Sequence, residues 1–258
     1  MIRRLFPRRL GHGEEATLVE HLGELRTRIV ISLLAIVPAF AVAFAFHEQL
    51  IRRLVDLLPD DKEDQLVTLG VTEPFLTSVK VSFYAALAIV LPILLYQAWA
   101  FLAPAIEERT QRVISIFVVI ATLLFAAGVL FAYFVILPAA LDFLVNYDEE
   151  LYNEQIRASY FLSFVSVMLL AIGLAFQMPI FILALVRLGV LTSGQLRRNR
   201  RIAIVLMFVV AILLPTVDPV SLALEVAPLL VLFELSIWLS VLMERRWERS
   251  YYESYDVP

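Results

Sequence analysis

The chain has 258 residues, 61% of them hydrophobic and 18% charged, with a mean hydropathy of +0.84. A soluble domain averages about 45–50% apolar and about 25% charged residues, and the excess here is gathered into long blocks, which identifies a polytopic membrane protein. The net charge of −4 excludes the basic face of a nucleic-acid binder, and the absence of cysteine excludes disulfides, thiolate metal sites and thiol nucleophiles.

A membrane-spanning helix needs about 20 apolar residues. Blocks that meet or approach this length cover residues 29–46, 83–103, 113–137, 160–186, 202–214 and 226–243, predicting six spans in one membrane domain. No small-residue cleavage site follows Phe46, so the first block reads as a retained span and not as a signal peptide. Segment 47–82 is long enough to be structured. Leu50, Ile51, Leu54, Val55 and Leu58 repeat at helical spacing and predict an amphipathic surface helix. Thr72-Glu73-Pro74-Phe75 then reads as a helix start, with Thr72 as cap and Pro74 in the first turn. A helix from there to Ala103 would be about 46 Å long and would project beyond the bilayer. The fifth block has only about 13 residues, about 20 Å of helix against a hydrocarbon core of about 30 Å. Either the bilayer thins there or this block forms a re-entrant hairpin with the sixth. Pro38, Pro92, Pro138, Pro179, Pro215 and Pro228 place a proline in or beside every span, and bent helices form a concave wall more readily than a tight parallel bundle. No internal repeat supports an inverted-repeat transporter plan.

Lysine and arginine set orientation. Of the 21 such residues, all but Arg52, Arg53, Lys62, Lys80 and Arg157 fall on the side of the two termini. Arg187, Arg197, Arg198, Arg200 and Arg201 make the strongest local contribution, and the acidic stretches 56–64 and 148–154 lie on the opposite side. Both termini are therefore expected in the cytoplasm.

Several segments carry a family resemblance. His21-Leu22-Gly23-Glu24-Leu25-Arg26-Thr27-Arg28 resembles the HLxELRxR signature of the TatC family, the multispanning subunit of the twin-arginine protein translocase. Thr72-Glu73-Pro74-Phe75 with Lys80 resembles its outer-loop motif, and Leu91-Pro92 with 96–104, Tyr-Gln-Ala-Trp-Ala-Phe-Leu-Ala-Pro, its span-two exit. Gly128, Phe131-Ala132-Tyr133-Phe134 and Pro138 match span three, and Gly173-Leu174-Ala175-Phe176 with Pro179 match span four. Asp218, Pro228 and Phe233-Glu234 match the last hairpin, so the resemblance runs in order over roughly residues 18–240.

This resemblance implies an all-α integral membrane protein of six bent transmembrane helices in a glove-like concave bundle, in a prokaryotic cytoplasmic membrane. It implies a receptor for the Arg-Arg signal peptides of folded exported proteins, partnered by small single-span subunits of the TatA and TatB type, in a hetero-oligomer driven by the proton-motive force. No catalysis, cofactor, metal or nucleic acid is expected, and lipid is the surrounding solvent. The implied signal-peptide site comprises Glu24, Arg26, Phe101, Pro104, Glu107 and Glu108. Gln177 and Glu234 are the expected membrane-embedded polar residues, and Asp218 and Glu225 the partner-docking ones.

A planar guanidinium takes a carboxylate in paired charge-assisted hydrogen bonds, and adjacent arginines need two acceptors. Glu24 is the first, with internal pairing to Arg28 at i+4 as the competing role. Departures from the family pattern bear on the second. The loop glutamate is replaced by Thr110, with Glu107 and Glu108 a turn earlier, and Gln177 stands where span four often has an acid. Leu214-Pro215-Thr216-Val217 precedes Asp218 in place of the usual Thr-Pro-Pro order, Leu222 replaces a polar residue, and Glu225 lies one turn on.

Two rival functions have local support. Glu107-Glu108-Arg109-Thr110-Gln111-Arg112 fits the EExxxR pattern of an intramembrane protease family, but no histidine follows His47 to complete that site. A secondary transporter of a small solute would use polar groups at mid-depth, where helix arithmetic puts Gln177 and Glu234.

Overall fold

The computed structural model describes residues 18–59, 66–102, 110–147, 155–214 and 218–255. They form α1 (Leu18–Ala45), α2 (His47–Val55), β1 (Leu66–Val67), α3 (Glu73–Leu102), α4 (Thr110–Phe131), α5 (Leu137–Val145), β2 (Ile156–Arg157), α6 (Ala158–Ala175), α7 (Met178–Arg187), α8 (Ser193–Arg198), α9 (Arg200–Ile212) and α10 (Pro219–Tyr255). Among the described residues, five stretches are long and apolar enough to cross a membrane: Leu22–Ala45, Glu73–Phe101, Ile116–Val145, Ala158–Arg187 and Pro219–Glu244. The fold is thus an all-α integral membrane protein. The remaining block is α9, whose 13 residues stop short of a full crossing, in keeping with the short fifth block of the sequence.

Prolines explain where the long apolar stretches are interrupted. Pro138 has no N–H to return to the preceding turn, and just before it residues 132–136 widen into a π-helical turn closed by Leu137 N–H donating to Ala132 O. Pro179 has the same effect between α6 and α7, where Phe176 and Gln177 form a tight turn with Gln177 N–H donating to Leu174 O at 2.9 Å. In α1 and α3 the helix runs on through Pro38 and Pro92.

Helix α10 starts earlier than the apolar block at 226–243 predicts. Asp218 Oδ1 accepts the N–H of Ser221 at 2.8 Å, and Pro219 occupies the first helical position, where its missing donor costs nothing. This Asp-Pro signal was present in the sequence and would have placed the start correctly.

The described residues cluster into two compact units, one within 1–50 and 78–122, the other within 51–77 and 123–258. In the first, Ala39 and Ala43 of α1 pack against Ala86 and Val90 of α3. Small side chains let the two backbones approach closely, which replaces the hydrophobic driving force that lipid does not supply. In the second, Ile182, Val186, Leu196, Met207, Leu229, Phe233 and Ile237 make a core shared by α7, α8, α9 and α10. Thr192 caps α8 in a capping box with Gln195, and Glu244 of α10 accepts Ser193 N–H at 2.9 Å and the Ser193 hydroxyl.

Two contacts between distant segments organise the second unit. Strands β1 and β2 pair in parallel, Leu66 with Ile156 and Val67 with Arg157. Beside them Arg157 grips Glu73 in a two-pronged ion pair, Nε to Oε1 at 2.8 Å and Nη2 to Oε2 at 3.2 Å, which raises the pKa of the guanidinium. Glu73 Oε2 also accepts the N–H groups of Leu69 and Gly70 at 2.9 and 3.2 Å. One buried carboxylate therefore holds the turn that starts α3 and the strand that precedes α6. The amphipathic helix predicted after the first span is α2, but it stops at Val55, and Leu58 is buried in the turn beyond it; Tyr133, on the π-helical turn, donates its hydroxyl to the Arg53 carbonyl at 2.9 Å.

Candidate functional site

The signature at the start of α1 folds onto the end of α3. Glu24 and Arg28 lie one turn apart on the same helix face, so their contact follows from helical periodicity alone. Arg28 Nε donates to Glu24 Oε1 at 3.1 Å, and Nη2 donates to the same oxygen. The guanidinium then reaches α3: Nη1 donates to Gln97 Oε1 at 3.2 Å and Nη2 to the Ala100 carbonyl at 2.9 Å. Both side chains of the ion pair are 19% exposed, so the pair lies at the rim of the packed helices.

This arrangement concentrates acceptors. The last four carbonyls of α3 have no intrahelical partner, and the helix dipole places partial negative charge at this end. Arg28 neutralises part of that charge and ties it to Glu24. A carboxylate offers about four acceptor positions, so Glu24 has the capacity to serve Arg28 and a second guanidinium together. Nearby, Thr27 donates to Gly23 O at 3.0 Å, Arg26 is exposed, Phe101 is half-buried, and buried Trp99 packs on Phe117 with ring centres 4.8 Å apart. Pro104, Glu107 and Glu108 lie outside the described residues; α4 begins directly after them, at Thr110.

The other predicted polar residues fall in the second unit. Gln177 sits in the turn between α6 and α7, where its carbonyl accepts Phe181 N–H at 3.1 Å. Glu234 is half-exposed, and its Oε2 accepts from Arg200 Nη2 at 2.8 Å, at the first residue of α9. Helix counting from the edge of an apolar block carried no information about that partner, because α9 and α10 meet only in the folded chain. Asp218, Ser221 and Glu225 follow one face of α10 and are all buried. Asp218 Oδ2 and Ser221 Oγ have no hydrogen-bond partner among the described residues. Among the described residues no three His, Asp or Glu side chains converge as metal ligands.

Residues 20–228 match the family model described as Sec-independent protein translocase protein (TatC). A protein of that name from Aquifex aeolicus (strain VF5) is 37% identical over 233 residues, covering 89% of this chain and 96% of the relative. Another, from Koribacter versatilis (strain Ellin345), is 34% identical over 239 residues, covering 90% of this chain and 88% of the relative. A crystal structure described as the twin arginine translocase receptor TatC in DDM superposes with a TM-score of 0.76 at 35% identity, covering 85% of this chain and 99% of the other.

Proposed function

This chain belongs to the TatC family of Sec-independent protein translocase proteins, and we propose that within the translocase it binds the Arg-Arg signal peptides of folded precursors at the α1–α3 junction. The observation that carries this reading is the cluster of acceptors made by Glu24 and the carbonyl end of α3, already organised around one guanidinium, that of Arg28. Glu24 takes the first arginine of the signal. Glu107 takes the second: in the sequence Glu108 is four residues before Arg112, the spacing of an internal helical ion pair, whereas the residues three and four positions after Glu107 are the uncharged Thr110 and Gln111. Arg26, Phe101, Pro104 and Glu108 complete the set of residues proposed for the signal. Charge-assisted hydrogen bonds at a partly buried carboxylate contribute about 1.5–3 kcal/mol each, too little for tight binding by two arginines alone, so the apolar part of the signal supplies the rest through burial.

Photo-crosslinking of a twin-arginine peptide to membranes containing the chain tests the reading. The Arg-Arg peptide is expected to crosslink and its Lys-Lys variant to be lost, because an ammonium cannot make the paired bonds of a guanidinium. Equal capture of both peptides would remove the basis for the site. In the same assay Glu107→Gln is expected to weaken crosslinking more than Glu108→Gln, and adding Thr110→Glu to Glu107→Gln to restore it.

Partner docking is assigned to the start of α10, where buried Asp218 and Ser221 keep unmet hydrogen-bonding capacity and Glu225 lies two turns beyond the cap. Small single-span subunits of the TatA and TatB type would supply the missing donors, with transport driven by the proton-motive force. Gln177 and Glu234 are the polar residues proposed for the membrane region, Glu234 in an ion pair with Arg200 at the start of α9. Receptors of this family support this reading over small-solute transport.

The orientation proposed is that of a prokaryotic cytoplasmic membrane protein with both termini inside. The natural absence of cysteine makes single-cysteine labelling clean. An impermeant reagent added outside is expected to reach cysteines at Asp61, Asn153 and Val220 and to miss one at Asn199. The reverse pattern would invert the protein.

A further inference from the structure

Helices α1 and α3 leave an open groove of about 490 Å³ between them, inside the ~300–1,000 Å³ range of ligand clefts. Its walls are Ile36, Val37 and Phe40 on one side and Phe83 and Tyr84 on the other, with Lys80 at one end. We propose that this groove is a binding site for one anionic phospholipid, its phosphate on the Lys80 ammonium and an acyl chain along Val37, Phe40 and Phe83.

Three observations converge on that occupant. The first is depth. Lys80 lies about 21 residues, and so about 31 Å of helix, from Phe101, the far end of the apolar stretch of α3. That distance matches a hydrocarbon core of about 30 Å, so Lys80 stands at headgroup level on the Glu73 side of the membrane. Tyr84, one turn deeper, is the amphipathic ring usual at that boundary.

The second is charge. Lys80 is exposed, and among the described residues none forms a hydrogen bond or ion pair with it. A compact, strongly hydrated ammonium at the lipid interface calls for a point anion, and a phosphate supplies one.

The third is the direction in which the groove opens. Val37 is 65% and Phe83 44% exposed, so the apolar walls face outward, where the bilayer supplies acyl chains. Apart from Lys80 and the Tyr84 hydroxyl the lining side chains are apolar, which suits a hydrocarbon tail and offers little for a peptide backbone to bond. An acidic helix of another protein would have to bring its carboxylate to this one depth with only the Tyr84 hydroxyl beside Lys80 to orient it.

Because the inference uses only α1, α3 and the membrane setting, it does not depend on signal recognition. The test is native mass spectrometry of the purified full chain equilibrated with micelles containing phosphatidylglycerol or phosphatidylcholine. Wild type and Lys80→Arg are expected to retain phosphatidylglycerol, and Lys80→Gln about fivefold less, the contribution of one basic residue at an anionic surface. Phosphatidylcholine should bind no better than phosphatidylglycerol does to Lys80→Gln. Val37→Trp, which fills the groove with Lys80 intact, should lower retention as well, and it carries the test if Lys80→Gln does not elute as a single species. Equal retention by wild type, Lys80→Gln and Val37→Trp would overturn the site. So would displacement of the lipid by glycerol 3-phosphate at equal concentration, which would reduce it to a headgroup contact. Lysine-dependent dimers with unchanged lipid counts would assign the groove to a second copy of the chain.

Discussion

Glu24→Gln is expected to lower twin-arginine crosslinking at least about tenfold while leaving the protein folded. A hydrogen bond to a charged group contributes about 1.5–3 kcal/mol, and a drop of about 1.4 kcal/mol is already tenfold. The substitution is isosteric, so the amide oxygen still accepts from Arg28, and Arg28 keeps its bonds to Gln97 and to the Ala100 carbonyl. What is lost is the negative charge that attracts a second guanidinium. Glu24→Asp should be intermediate, since the charge remains but retracts by one methylene. Two measurements check this together: crosslinking yield, and thermal unfolding followed by tryptophan fluorescence. If Glu24→Gln crosslinks as wild type, Glu24 serves only to position Arg28.

Gly173→Ala is expected to destabilise the second unit by about 1–3 kcal/mol, the usual cost of overpacking. Elsewhere in a helix the same change would stabilise by about 0.5–1 kcal/mol, so the sign is diagnostic. A methyl at Gly173 would stand 2.5 Å from Phe125 Cε2 and 2.9 Å from Val129 Cγ2. The contact is reciprocal, because a methyl at Gly128 would stand 2.8 Å from Phe176 Cγ and 3.0 Å from the Gly173 Cα. Each glycine thus receives the phenylalanine of the other helix, and buried Phe125 and Phe176 lock α4 to α6. The two sites should differ in rescue. Phe125→Leu removes the ring that opposes Gly173→Ala and should recover part of the loss. Phe176→Leu should recover less of Gly128→Ala, because backbone at Gly173 and the Phe176 Cβ remain in the way. Melting curves that rise for both alanine variants would show that the helices separate freely at this contact.

These glycines also mark how far the chain can be read without its fold. Gly128 and Gly173 stood out as motif positions, yet nothing in one dimension says which side chain each receives. The partners are 48 residues away from Gly128 and from Gly173, on another helix.

The readable features are those governed by local rules. Block length against bilayer thickness, the placement of arginines and the i,i+4 contact of Glu24 with Arg28 all follow from helix geometry and the cost of burying charge. The spacing of Leu50, Ile51, Leu54 and Val55 likewise marks α2, although Leu58, which continues that spacing, lies in the turn beyond its end. Other contacts join positions far apart in the chain. Arg28 reaches Gln97, Arg157 closes on Glu73, Arg200 meets Glu234, and β1 pairs with β2. None of these has a sequence period, because each depends on which helix ends the packing of small and aromatic side chains brings together. Packing selects one arrangement among many with the same hydrophobic pattern, and polar groups in or near lipid must then find partners within reach, since little water is there to satisfy them.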